Sequence, residues 1–149
     1  MPSFHQQLLQ RVVATQQALA TVPAARVFVE REAPIEKDEC PAVNVALVES
    51  RQESIVGSDG EWDLLQLTVK LKLAVHTRGE PQTTLADPVI AEAHAALLAD
   101  PSLGGVALRL SFEGSERRSA AADGSAGIYE LSYEATVVVD ERTLALHTL

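Results

Sequence analysis

Apolar residues fall at helical spacing from the start of the chain. Phe4, Leu8, Val12 and Leu19 share a stripe that Leu9 and Val13 widen, and Ser3 stands where an N-cap belongs. Gln6, Gln7, Gln10, Gln16 and Gln17 fill the rest of the surface, and Pro23 stops the helix near Thr21 or Val22. An amphipathic helix must cover something, and the expected partner is a sheet of its own chain. Strand patterns follow. Arg26 to Glu30 is β-branched and aromatic. Residues 31–42 hold Pro34, Pro41 and the densest acids, and read as a loop or an irregular edge. Val43 to Ser50 alternates, with Val43, Val45 and Leu47 on one side, and Gly57-Ser58-Asp59-Gly60 is a turn.

The clearest pattern covers residues 62–77. Leu65, Leu67, Val69, Leu71, Leu73 and Val75 fall on one face, with Gln66, Thr68, Lys70, Lys72 and His76 on the other. One dry face and one wet face imply an antiparallel or mixed sheet, not a doubly wound parallel one. A second helix is predicted after the Gly79–Pro81 break. Thr83, Thr84 or Asp87 is the expected cap, and Pro88 is expected in the first turn. Its stripe is Ile90, Ala93, Leu97 and Leu98, and Asp100-Pro101 stops it. Val106, Leu108, Leu110 and Phe112 then alternate with polar residues. Residues 114–127 read as a mobile hairpin loop carrying Arg117 and Arg118. Tyr129, Leu131, Tyr133, Ala135, Val137 and Val139 form the last strand, and residues 140–149 a short tail.

The pattern predicts an α+β fold. Two amphipathic helices pack on one mainly antiparallel sheet of about five strands, in the order α-β-β-β-α-β-β. The length of 149 residues suits a single domain spanning 1–149, which buries enough surface for a core without staples. Hydrophobic residues make up 46% of the chain, which excludes wholesale disorder. Cys40 is the one cysteine, so a disulfide scaffold is excluded and a reducing compartment is the natural expectation. No apolar run is long enough to span a membrane, and the N-terminus has no signal-peptide pattern.

Charge narrows the partners. The net charge is −9, which opposes non-specific nucleic-acid binding. Residues 1–29 carry Arg11 and Arg26 and no acid, whereas residues 30–63 hold ten acids and three bases. Such an acidic segment suits a solvated face or a surface that meets a basic partner.

Catalytic patterns are sparse. Acidic neighbours around Cys40 raise a thiol pKa, the wrong direction for a nucleophile. His5, His76, His94 and His147 show no zinc-ligand spacing, and His94 lies among helix apolar positions as a core or interface histidine would. The Gly57–Gly60 turn lacks the helices and the distal glutamate of a calcium loop. Gly104-Gly105 leads from helix to strand, the reverse of a dinucleotide site. No phosphate loop or nucleophile elbow is present, and aromatics at 4% are too few for base stacking. The expectation is a chain that is not an enzyme, with no catalytic residue, cofactor or metal site.

His94-Ala95-Ala96-Leu97-Leu98-Ala99-Asp100-Pro101-Ser102-Leu103-Gly104-Gly105-Val106 resembles a stretch in small tail proteins of long-tailed bacteriophages. There, too, a helix ends in an Asp-Pro, x, Leu-Gly-Gly turn. The alternating tyrosines of Tyr129-Glu130-Leu131-Ser132-Tyr133 and the order of elements are similar to the tail terminator (minor tail protein U-like) family. The residue-level likeness covers about 94–106 and 128–139. The resemblance implies a structural protein of a phage or prophage, made in the bacterial cytoplasm and carried into the virion tail. It implies a homo-oligomeric ring, six-membered in the family, that caps the tail tube. The partners it implies are further copies of the chain, the tail tube protein and the head-tail connector protein, with no nucleic acid and no membrane. Asp100, Pro101, Leu103, Gly104 and Gly105 then form a structural turn.

In such a ring, subunits would meet through sheet edges on the long strands 62–77 and 128–139. Lys70 and Lys72 would face Glu130 or Glu134, within a subunit or across the joint, and Arg117-Arg118 would dock an acidic surface. Two alternatives remain: a small α+β adaptor dimer, and a ligand-binding domain or enzyme with a scattered site.

Overall fold

The computed structural model describes residues 2–60, 62–119 and 126–147. Helix α1 (Phe4–Gln17) buries Phe4, Leu8, Leu9, Val12 and Gln16 at the expected spacing. Ser3 precedes it in an extended conformation but makes no side-chain cap bond. The Phe4 N–H instead donates to the Leu144 carbonyl at 2.7 Å. The helix ends four or five residues before the predicted stop. Glu92 is the reason. Its carboxylate accepts from both the N–H and the hydroxyl of Thr21, at 2.9 and 2.8 Å, and holds residues 18–22 off the helical path. Leu19 and Val22 are still buried, so the apolar stripe outlasts the helix.

A 3-10 turn at Ala24–Arg26 leads into β1 (Val27–Val29), which pairs in parallel with the start of β2 (Ala42–Asp59). β2 and β3 (Trp62–Arg78) form a long antiparallel hairpin, from Ala42 opposite His76 to Asp59 opposite Trp62. β2 therefore runs nine residues past Ser50, where the sequence pattern ends. Residues 48–58 are all exposed, so burial imposes no apolar alternation on them, and register shifts interrupt the ladder at three places.

Helix α2 (Gln82–Leu98) starts earlier than expected, and Pro88 lies inside it, seven residues along. Gln82 anchors the start. Its Oε1 accepts from the Thr77 hydroxyl at 2.7 Å and its Nε2 donates to the Gly79 carbonyl. Pro88 removes one N–H donor to the preceding turn, and its ring crowds the carbonyl four residues back. The buried stripe is Ala86, Val89, Ala93 and Leu97, with Ile90 and Leu98 at its margin.

β4 (Ala107–Ser119) and β5 (Ala126–Asp140) are antiparallel, and pairing continues to Ser119 opposite Gly127. The predicted 114–127 loop is thus largely strand. Its small polar residues fit because this part of β4 lies on an exposed edge. Residues 120–125 lie outside the described residues.

The sheet order is β1-β2-β3-β5-β4, with only the β1–β2 pair parallel, so the sheet is mixed. Both helices cover one face, α1 over β1 and β2, α2 over β3 and β5. All six predicted apolar residues of β3 are buried there, opposite the odd-numbered apolar residues of β5. Gln16 sits fully buried where the helices meet. Its Nε2 donates to the Ala93 carbonyl at 3.2 Å, and its Oε1 accepts no bond from the described residues. The expected tail also packs down. Leu146 bridges to Val139, its N–H donates to Gln7 Oε1 at 2.9 Å, and Ala145 is buried.

Candidate interaction surface

The uncovered face of the sheet carries the even-numbered side chains of β3 and β5. Lys72 Nζ lies 3.1 Å from Glu130 Oε2, and Arg118 reaches the other oxygen of the same carboxylate. Lys70 stands opposite Glu134 in the β3–β5 register, yet its nearest acid is Glu113 on β4, at 4.0 Å. The neighbouring Glu113 carboxyl pushes the Glu134 carboxyl above the usual carboxylate range. Glu113 is the residue that sequence reasoning missed. A register shift between Phe112 and Gly114 places it, and no pattern in the chain announces that shift. Arg117 does not join the face. It leans over the Tyr129 ring, 5.8 Å from the centroid.

Asp100 organises the turn after α2. One carboxylate oxygen accepts from the Ser102 N–H at 3.0 Å and from the Ser102 hydroxyl, and the other accepts from the Gly104 N–H at 2.8 Å. The Ser102 hydroxyl and these N–H groups hold the carboxyl below its usual range. Leu103 is buried despite a φ of +50°, and Gly104 and Gly105 follow at +77° and +89°. Pro101 sits at the exposed entry to this turn.

His94 points from α2 onto the sheet, where its Nδ1 lies 2.7 Å from the fully buried Tyr133 hydroxyl. Burial pushes that phenol upward. Phe112 packs edge-on to His94 and closes the cluster at the β4 edge.

Residues 30–41 cross between the parallel strands as a strap. Arg31 donates to both oxygens of Glu39, at 2.6 and 2.8 Å, and to the carbonyls of Ala33 and Pro34. The Arg31 guanidinium, helped by the Glu36 N–H, lowers the Glu39 carboxyl to about 2. The strap roofs an open cavity of about 340 Å³ lined by Arg31, Cys40, Asn44, His76, Arg78 and Ile128, among others. Cys40 is half-buried, and burial rather than its acidic neighbours is the main reason its thiol is raised. Among the described residues no three His, Cys, Asp or Glu side chains gather as a metal site requires.

The strap gives a pH prediction. A carboxyl with a lowered folded pKa stabilises the strap fully above its unfolded value near 4.5, and loses that contribution as pH falls toward 2. An NMR titration should show the Glu39 side-chain carbonyl with a midpoint near 2. In Arg31→Ala it should return toward 4.5. A Glu39 midpoint unchanged by that substitution refutes the pairing.

The strands nominated to pair across subunits, β3 and β5, are interior and have both edges occupied. The free edges lie elsewhere. β1 covers β2 only at Val43–Val45, so the outer edge of residues 46–59 has no partner strand among the described residues. The outer edge of β4 is likewise bare. Exposed apolar side chains mark both: Val48, Ile55 and Val56 on β2, with Ile55 60% exposed, and Leu108 and Phe112 on β4.

No family model matches the chain, and no curated protein matches it. Among solved structures, the chain is similar to one in the "Virion of native gene transfer agent (GTA) particle". The identity is 16% and the TM-score 0.47, over 88% of this chain and 94% of that one.

Proposed function

We propose that this protein is a structural subunit that assembles with its own copies into a ring, in the manner of the tail terminators its 94–106 segment resembles. The ring caps a tail tube and presents a surface to a head-tail connector protein. Assembly takes place in the bacterial cytoplasm, and the ring ends in the virion tail. No catalytic step is assigned to it. The observation that carries the reading is a single sheet with two unlike free edges, each bearing exposed apolar side chains. Two different surfaces that fit each other join head to tail, and such contacts close into rings when the rotation between neighbours allows. The polar face, with Lys70, Lys72, Glu130 and Glu134, adds register within the subunit more than affinity between subunits.

Light scattering behind size exclusion, at several concentrations with and without magnesium, tests this. A mass that climbs with concentration to six subunits is the expected result. A strict dimer favours the adaptor reading, and a monomer at every concentration removes the ring.

A further inference from the structure

We propose that the seam of the ring is an antiparallel β-ladder between the outer edge of β2, residues 46–59, and the outer edge of β4 in the next copy. This rests on the ring reading and specifies its joint.

Four observations carry it. The first is direction. β2, β3, β5 and β4 alternate up and down through three antiparallel pairings, so β2 and β4 run in opposite senses. A neighbour added by continuing the sheet, helices on the same side, meets β4 with an antiparallel β2. The second is length. The uncovered stretch of β2 spans residues 46–59 and β4 spans residues 107–119, and matched edges leave few unpaired backbone groups. The third is charge. Residues 46–59 hold Glu49, Glu53 and Asp59 against Arg51, a net of −2, while residues 107–119 hold Arg109, Arg117 and Arg118 against Glu113 and Glu116, a net of +1. The charges favour β2 on β4 over β2 on β2.

The fourth is what the edges lack. Strands that must stay unpaired are defended by lysine and proline. Neither residue occurs in 46–59 or 107–119. The register shifts on β2, which elsewhere blunt an edge, here add the exposed apolar residues Val48 and Val56. In the antiparallel register Ile55 and Val56 come beside Leu108 and Phe112 across the seam, while Val48 falls near Arg117, and the contact withdraws apolar surface from water.

Two edge-blocked variants test the joint. One carries Val48→Lys, Ile55→Lys and Val56→Lys, and leaves β4 intact. The other carries Leu108→Lys and Phe112→Lys, and leaves β2 intact. Because Phe112 touches His94, Leu108→Lys alone serves as a second β4 variant if the pair melts below wild type. Each variant should remain monomeric where the wild type forms its ring, a loss of at least tenfold in association. Their 1:1 mixture should form a heterodimer and stop there, since one good seam remains and its far edges are blocked. A β2 variant that dimerises alone shows a symmetric β4–β4 contact and overturns the proposal. If either variant still closes the ring, the seam lies elsewhere while the ring itself stands. If the wild type never assembles, the ring reading falls and the seam with it.

Discussion

Leu71→Ala should lower folding stability by about 2–5 kcal/mol, while Lys70→Ala, one residue earlier, should move it by no more than about 0.5 kcal/mol. Leu71 is fully buried at the middle of β3, between Leu47 on β2 and Tyr133 on β5. Removing its branched end leaves a cavity beneath the helix layer, and both neighbouring strands are held in place by their own ladders, so the space does not collapse. Lys70 points to the uncovered face, is partly solvated, and its ion pair with Glu113 spans 4.0 Å. For a domain of this size the first loss corresponds to a fall in Tm of roughly 10 °C. Urea denaturation and thermal melting of the two variants side by side are the measurement. Equal melting of the pair would falsify the placement of the dry face.

The double substitution Gly104→Ala with Gly105→Ala should cost about 2–4 kcal/mol, at about 1–2 kcal/mol for each residue forced into left-handed backbone. Both glycines hold φ well above zero, at +77° and +89°. At Gly104 an added methyl would also meet the Arg11 guanidinium, which must swing away. The comparison is Gly57→Ala in the exposed half of β2. A methyl there meets nothing within 4 Å, so stability should hold or rise by up to about 1 kcal/mol. A double variant that melts with the wild type would mean that the turn re-forms without left-handed residues. The same turn loses its Asp100 anchor in acid, because a lowered carboxyl stabilises only while ionised.

Burial decided how much of this was legible. β3 is legible nearly residue by residue, because one face is dry and the alternation is forced along its length. The far half of β2 and the outer half of β4 leave no such pattern, for the opposite reason. Their side chains face water, so serine, glutamate and glycine serve as well as valine, and backbone pairing alone makes them strands. The pattern puts the start of α2 too late because Pro88 suits a first turn, whereas the contacts of Gln82 with Thr77 and Gly79 begin the helix earlier. The parallel pairing of β1 depends on a crossover strap locked by Arg31 and Glu39, a contact between residues that no period connects. At the candidate surface, lysines facing glutamates followed from the alternation of the two strands. The diversion of Lys70 to Glu113 did not, because a register shift sets it.

The bond from the Phe4 N–H to the Leu144 carbonyl has a temporal meaning. Helix α1 leaves the ribosome before any strand of the sheet, but its opening turn finds this partner only after some 140 further residues have been made. The sheet has the same delay, since β3 waits for β5 to cover its second edge, and α2 comes between them. Early segments therefore stay exposed through most of synthesis, and closure of the domain comes as one late event when β5 arrives. A chaperone acting on the nascent chain would meet the apolar stripe of α1 and the β2–β3 hairpin, its β3 edge still bare, together, before either is sheltered.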